Sequence, residues 1–234
     1  MKNSVKDADV MRKVPSPEPA APIGLRERGK QERRARISRA VREVFRSKGY
    51  EAATIREIAA RAGVASGTIF LYARDKRELL LMMVNDDLEH LTEESFRHIP
   101  AQAPLLDQLL AIFAPRYAYW ATDPKLATQA LYATISARAE EEAAETTRFH
   151  RRRHSILGKL IELLEERQRS GALAPALDAP TSAWVIMSIY LAAIRLWLAD
   201  EHPQPDAGVA TLRALLRRAI TGFGAAPSEI AGDS

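Results

Sequence analysis

The chain of 234 residues has no cysteine, which excludes disulfides, thiolate zinc sites and a thiol nucleophile. It also lacks a long uninterrupted apolar run. The longest, Ala183 to Leu198, is short for a membrane span and carries Arg195, so it reads as a helix buried in protein, and no membrane partner is expected. No period-two alternation marks a strand and no segment repeats. No glycine-rich phosphate loop, paired acid site or nucleophile–base spacing stands out, so catalysis is not expected. The five histidines lie apart. His150 and His154, at i and i+4, do not complete a metal set, and no metal or cofactor is expected.

What is present points to an all-α protein. Hydrophobic residues make up 47% of the chain, ample for a buried core. Residues 1–23 mix charges with Pro15, Pro17, Pro19 and Pro22 and lack an apolar stretch of signal-peptide length. They read as a disordered tail, and the expected location is cytoplasmic. Residues 226–234 read as a second, flexible tail.

The formal net charge of +4 is unevenly placed. Between Gly24 and Arg77 there are 15 Lys or Arg against 6 Asp or Glu, a surplus of nine, so the remainder is mildly acidic at −5. A local positive field favours a polyanion, because Lys and Arg displace the counterions condensed on phosphates. From charge alone, a solvated Arg-rich helix face is equally open.

Helical periodicity begins with Ile37, Ala40, Val41, Val44 and Phe45 and stops at Gly49. Thr54 and Glu57 form a capping box that opens a short helix carrying Ile55, Ile58, Ala59 and Ala62, ended by Gly63. The pattern resumes at Ser66 with Ile69, Phe70 and Tyr72. Asp75 and Glu78 make a second capping box leading into Leu79, Leu80, Met83 and Val84. Past Pro100, helices are expected at about 103–120, 124–138, 142–170, 180–200 and 207–223, with proline and glycine at the breaks.

The short break between the second and third helices suits a helix-turn-helix corner. Such a corner needs a small residue where the helices cross, a residue tolerant of positive φ, and apolar side chains fastening the second helix to the first. Ala59, Gly63, and Val64 with Ile69 meet these needs in order. Ser66, Gly67 and Leu71 would then face outward, free to enter a major groove.

Arg34, Ile37, Ala40, Phe45, Gly49 and Tyr50, then Thr54, Ile55, Ile58, Ala59, Ala62, Gly63 and Val64, followed by Gly67, Thr68, Ile69, Phe70, Tyr72, Lys76 and Leu79, resemble the TetR family of regulators in residue type and spacing. The resemblance covers some 45 residues of the first helical domain. It implies that Thr54 and Arg56 lie at phosphates or a groove edge. Ser66, Gly67 and Thr68 would open the recognition helix, with Gly67 allowing close backbone approach, and Tyr72 and Lys76 would hold the phosphate backbone. Three positions depart from the family pattern. Ala65 stands in place of a capping Ser, so that Ser66 caps instead or the helix starts less firmly. Phe70 replaces a Tyr, so no phenolic bond to phosphate forms, and Ala73 replaces a Phe, leaving a smaller plug before the fourth helix.

These readings divide the chain into a helix-turn-helix domain of three helices at 24–77 and a helical effector-binding and dimerisation domain at 78–225. The helix at 180–200 is apolar on nearly every side and needs more than one cover. A partner subunit is the natural second one, together with Leu212, Leu215, Leu216 and Ile220 of the last helix. The resemblance likewise implies a homodimer joined by the last two long helices, reading an inverted repeat of double-stranded DNA. Candidate lining for the pocket of an unknown small-molecule effector is Phe113, Tyr117, Trp120, Tyr132, Phe149, His150, His154, Trp184, Met187 and Tyr190, residues that serve equally well as core. Arg195 either pairs with an acid across the interface or meets an anionic ligand. Arg151, Arg152, Arg153 and His154 read as surface charges neutralised along one helix by Glu140, Glu141, Glu142 and Glu145. The expected function is a ligand-responsive repressor released from its operator by the effector. The alternative is an all-helical adaptor that uses its basic N-terminal face to bind a protein or membrane.

Overall fold

The computed structural model describes residues 24–135 and 143–222, and every regular element among them is helical. Nine helices follow in order: α1 (Leu25–Lys48), α2 (Ile55–Ala62), α3 (Ser66–Ile69), α4 (Lys76–Arg97), α5 (Leu105–Ala121), α6 (Pro124–Ile135), α7 (Ala144–Arg169), α8 (Ala179–Leu198) and α9 (Pro205–Thr221). Their bounds follow the breaks expected from proline and glycine. The C-terminal end of the expected 124–138 helix and the whole of both expected tails, 1–23 and 226–234, lie outside the described residues.

The first three helices pack through a stripe in which Ile37, Val41 and Phe45 of α1 meet Ile58 and Ala59 of α2 and Ile69 of α3, all fully buried. Gly49 ends α1 at φ 80°, its N–H donating to the Phe45 carbonyl over 2.8 Å. α4 is the spine of the molecule. It packs on α1, α5, α6 and α7, and it runs through the expected 77/78 domain boundary. Leu79 to Val84 are six consecutive buried residues of α4, because that stretch is enclosed from several sides at once.

In the second half, α5 packs on α9, α7 on α8, and α8 on α9. α8 has 20 residues and is apolar enough by composition to cross a membrane, so length alone does not separate it from a span. Its inward side, with Ala183, Ile186, Met187, Tyr190 and Ile194, is buried in the bundle. Its outward side leaves Trp184, Val185, Arg195 and Leu196 exposed. Of the last helix, Leu212 and Leu216 are buried within the chain, whereas Leu215 and Ile220 are exposed, Ile220 sharing a shallow groove with Val185 of α8. Gly208 lets α9 press against α5. A Cβ there would lie 2.4 Å from the Tyr117 ring.

Candidate nucleic-acid interface and cavity

Local chemistry sets the corner between α2 and α3. Thr54 Oγ1 accepts from the Glu57 N–H at 3.3 Å, and the Thr54 N–H donates back to the Glu57 carboxylate at 3.1 Å, so the expected capping box is complete. Glu57 also pairs with Lys48 of α1, an exposed link between α1 and α2. The Lys48 hydrogen bond, then those from Thr54, hold the Glu57 carboxyl below its ordinary pKa. At the far end of α2, Gly63 adopts φ 64°, ψ 41°. Its N–H bonds to the Ala60 carbonyl and that of Val64 to the Ala59 carbonyl, the Schellman arrangement that turns the chain sharply into α3.

α3 is shorter than the sequence pattern suggests. Regular helix covers Ser66 to Ile69, and tight turns carry the chain through Tyr72 with Leu71 N–H to Thr68 O and Tyr72 N–H to Ile69 O. Ala65 occupies the N-cap with no side-chain bond, and Ser66 lies within the helix rather than capping it. Burial of Ile69 therefore fastens the element in place of a cap. Ser66, Gly67, Phe70 and Leu71 are exposed, Leu71 by 78%, while Thr68 and Tyr72 are half-buried. Thr54 and Arg56 lie exposed at the start of α2. Lys76 begins α4, its Nζ donating to the Glu51 carbonyl at 2.9 Å and lying 4.6 Å from the Tyr50 ring centroid. The ammonium thus staples α4 to the loop before α2 and keeps two N–H donors for another acceptor.

Not all of the basic surplus faces outward. Arg34 bonds Asp86 and Glu145, and Arg42 bonds both carboxylate oxygens of Asp87, so two arginines of α1, two turns apart, are half-buried structural partners of α4 and α7.

A polar joint links α1 and α4 to α7. Glu78, buried in α4, does not complete the second capping box expected from sequence. Asp75 does cap α4 by accepting from the Glu78 N–H at 2.8 Å. The Glu78 carboxylate instead accepts from the N–H groups of Glu145 and Thr146, at 2.9 and 3.2 Å, and from Thr146 Oγ1 at 2.6 Å. It caps α7 from outside, where the free N–H groups of a helix start favour an anion. Glu145 then joins Arg34 and Arg148, and Arg148 reaches Asp86 and Glu89.

Beyond this joint lies a cavity of about 380 Å³ enclosed by α4, α5, α6, α7 and α8. Of the aromatic and polar residues read as lining, Trp120, Phe149, His150, Met187 and Tyr190 meet there. Phe113 stacks behind Tyr190 at 4.6 Å between centroids, and Tyr117 is packed against Tyr190 and Trp197, so these two support the wall from the core. Tyr132 is exposed in a separate groove between α6 and α8, His154 is exposed with Nδ1 on the His150 carbonyl, and Trp184 is exposed beneath Arg153. Helical phase explains the separation, since side chains on different sides of one helix cannot share a cavity.

The Arg151–Arg153 run is not a self-neutralising surface. Arg151 is exposed. Arg152 is buried with Asn85 Oδ1 at 2.9 Å as its nearest acceptor, and Arg153 lies over the Trp184 ring. Glu140, Glu141 and Glu142 lie outside the described residues.

Comparison with known proteins agrees with this geometry. Residues 37–83 match the family model for bacterial regulatory proteins of the tetR family. The fatty acid metabolism regulator protein of Bacillus subtilis is 24% identical over 162 residues, 68% of this chain and 80% of its own length. The transcriptional repressor BepR of Brucella suis is 28% identical over 178 residues, 73% of this chain and 82% of its own. Residues 37–83 carry the N-terminal regulatory domain of the tetR family, and the chain is similar to TetR-family transcriptional regulators over most of its length.

Among solved structures, the chain is similar to Thermus thermophilus FadR in complex with lauroyl-CoA. The TM-score is 0.66 at 22% identity, covering 86% of this chain and all of that one. It is also similar to Bacillus subtilis FadR in complex with stearoyl-CoA, at a TM-score of 0.62 and 22% identity, covering 81% and 98%. The fold of the second half is therefore a TetR-family fold.

Sequence reasoning missed the buried contacts of Glu78 and Asn85 and the place of Arg116 in the cavity wall. Arg116 carried a signal like that of Arg195: a guanidinium amid the apolar residues Ile112, Phe113, Tyr117 and Trp120. Glu78 gave none, because an acid in the first turn of a helix ordinarily serves that helix.

Proposed function

We propose that this TetR-family regulator binds an inverted-repeat operator as a homodimer and represses until a small molecule enters the α4–α8 cavity and releases it. The observation that carries the reading is the corner at Gly63, which leaves Ser66, Gly67, Phe70 and Leu71 facing outward between the exposed start of α2 and the Lys76 start of α4. This is the arrangement needed to insert one short element into a major groove while flanking groups hold phosphates.

Dimerisation is supported by the uncovered side of α8. Thr181, Val185, Ser188, Ala192 and Ala199 recur at helical spacing with Trp184 and Leu196, a small and apolar exposed stripe that Ile220 of α9 extends beside Val185. A two-fold axis there would present two readers to two half-sites. The acyl-CoA complexes of the two FadR neighbours support a small-molecule role for the cavity. The polar joint at Glu78 and Glu145 offers a route by which cavity occupancy biases α4.

Selection of bound DNA from a random library tests reader and dimer together. An inverted-repeat consensus supports the proposal, and recovery of single half-sites or no consensus sinks it. Effector action is tested separately, by the loss of operator retention on adding a ligand shown to bind.

A further inference from the structure

The cavity contains an unusual pair of charges. Arg116 is 2% exposed and Arg152 8%, the two most buried arginines among the described residues, and both line the cavity. Every acceptor bonded to them is neutral. Arg116 donates to the Ile112 carbonyl and to Thr92 Oγ1 at 2.8 Å, and Arg152 donates to Asn85 Oδ1 at 2.9 Å and the Val84 carbonyl at 3.4 Å. Each guanidinium has five N–H donors, so these bonds leave capacity unused. Elsewhere the chain treats arginine differently, since the less buried Arg34, Arg42 and Arg148 all meet carboxylates.

Burial lowers the pKa of both groups, Arg152 to about 10, with Glu89 opposing the shift and Arg116 adding to it. Both remain charged at neutral pH. Glu89, the carboxylate that acts on Arg152, is already committed to Arg148. Two like charges near one another, desolvated and without a carboxylate bonded to either among the described residues, are destabilising unless an anion joins them. Two residues of the lining carry further unused polar atoms. His150 Nε2 and Arg153 Nε are buried with no hydrogen-bond partner, and both residues line the cavity. Most of the remaining wall is apolar, with Leu88, Leu131, Ile156 and Met187, joined by Thr134 and the exposed Arg195.

From this we infer that the cavity binds an amphiphilic free carboxylate, its head held by Arg116 and Arg152 and its chain laid along the apolar wall. The inference rests on the reading of the cavity as an effector site and refines the ligand class. A thioester buried by its acyl chain would bring no charge to the arginine pair, whereas a carboxylate offers two oxygens that match a guanidinium fork. The cavity volume suits a chain of roughly ten carbons.

Calorimetric titration of the full-length protein with decanoate, decanamide, decyl phosphate and decanoyl-CoA, without DNA, tests the inference. Decanoate is expected to bind at least tenfold more tightly than decanamide, and Arg116→Met and Arg152→Met are each expected to erase that preference. Equal binding of decanoate and decanamide by the wild-type protein would overturn it, as would tighter binding of decyl phosphate or decanoyl-CoA than of decanoate. The wild-type comparison stands even where a variant fails to fold, and Arg116→Lys, which keeps the charge, should retain part of the preference. Because binding is read without DNA, a bound carboxylate that leaves operator retention unchanged refutes the proposed switch and not the anion site.

Discussion

The Glu78 carboxylate of α4 accepts a 2.6 Å hydrogen bond from Thr146 Oγ1 of α7, 68 residues away in sequence, and so caps a helix of the second half from the first turn after the DNA reader. Glu78→Ala would leave two backbone N–H groups and a hydroxyl unpaired in a buried site. At about 1–3 kcal/mol for a buried polar group left unsatisfied, a loss of roughly 3 kcal/mol is expected in denaturant unfolding. Glu78→Gln, which keeps one acceptor oxygen, should cost about half as much. An Ala variant as stable as the wild type would remove this joint from any account of how the halves communicate.

Gly208 faces Tyr117 and Trp197 so closely that an added Cβ would fall within 2.4–2.8 Å of their rings. Both rings are buried and held by aromatic neighbours, which limits their retreat. Gly208→Ala should therefore lower stability by about 1–3 kcal/mol, the usual cost of overpacking, although alanine is the better helix former. Thermal unfolding followed by circular dichroism measures this, and stabilisation by the substitution would show that α9 can shift freely.

The helices were legible because their signals are local. Gly49, Gly63, the Thr54–Glu57 box and the proline breaks act within one turn of where they stand, and the corner needed only Ala59, Gly63 and Ile69 at fixed spacing. The polar joint and the cavity were not legible, because their partners are brought together by packing. Glu78 looked like a cap for its own helix, and Arg152 looked like one of a run of surface charges. Only the crossing of α4 and α7 shows that one caps a neighbour and the other turns inward. Aromatic composition marked the neighbourhood of the cavity, but helical phase decided which rings line it.

The Glu57 carboxyl is held below its ordinary pKa by Lys48 and Thr54. A carboxyl depressed in the folded state stabilises at pH above its unfolded pKa and loses that contribution as pH falls through the folded value. Acid should therefore loosen the α1–α2 corner from the ordinary glutamate range downward. Glu57→Gln should flatten that part of the stability–pH profile while leaving the slope near neutrality unchanged. An identical acid profile in the two proteins would show that this surface pair carries no net stability.

On the uncovered side of α8 and α9, Val185→Glu and Leu215→Glu place charge on residues that are exposed in the single chain, 46% and 41% respectively. Folding of the protomer should change little, because neither side chain is core. If the proposed two-fold interface is correct, each variant should sediment as a monomer and lose operator affinity by roughly a hundredfold or more, since one reader alone binds only a half-site. Dimeric variants with intact operator affinity would move the interface elsewhere.

Lys76 and Leu71 separate positioning from reading at the candidate DNA surface. The Lys76 ammonium holds the Glu51 carbonyl yet retains donors for phosphate, so Lys76→Ala should weaken binding to all sequences alike and make the slope of log K against log salt shallower by about one for each phosphate no longer neutralised. Leu71 has no polar atom beyond its backbone and is exposed, so it can discriminate only by apolar contact with a base edge, such as a thymine methyl. Leu71→Ala should relax preference at one position of each half-site by about 1–3 kcal/mol, leaving the salt slope unchanged. Binding measured on a set of single-base operator variants at several salt concentrations distinguishes the two. If Leu71→Ala altered the salt slope, or Lys76→Ala altered the sequence preference, the proposed orientation of the corner on the duplex would be wrong.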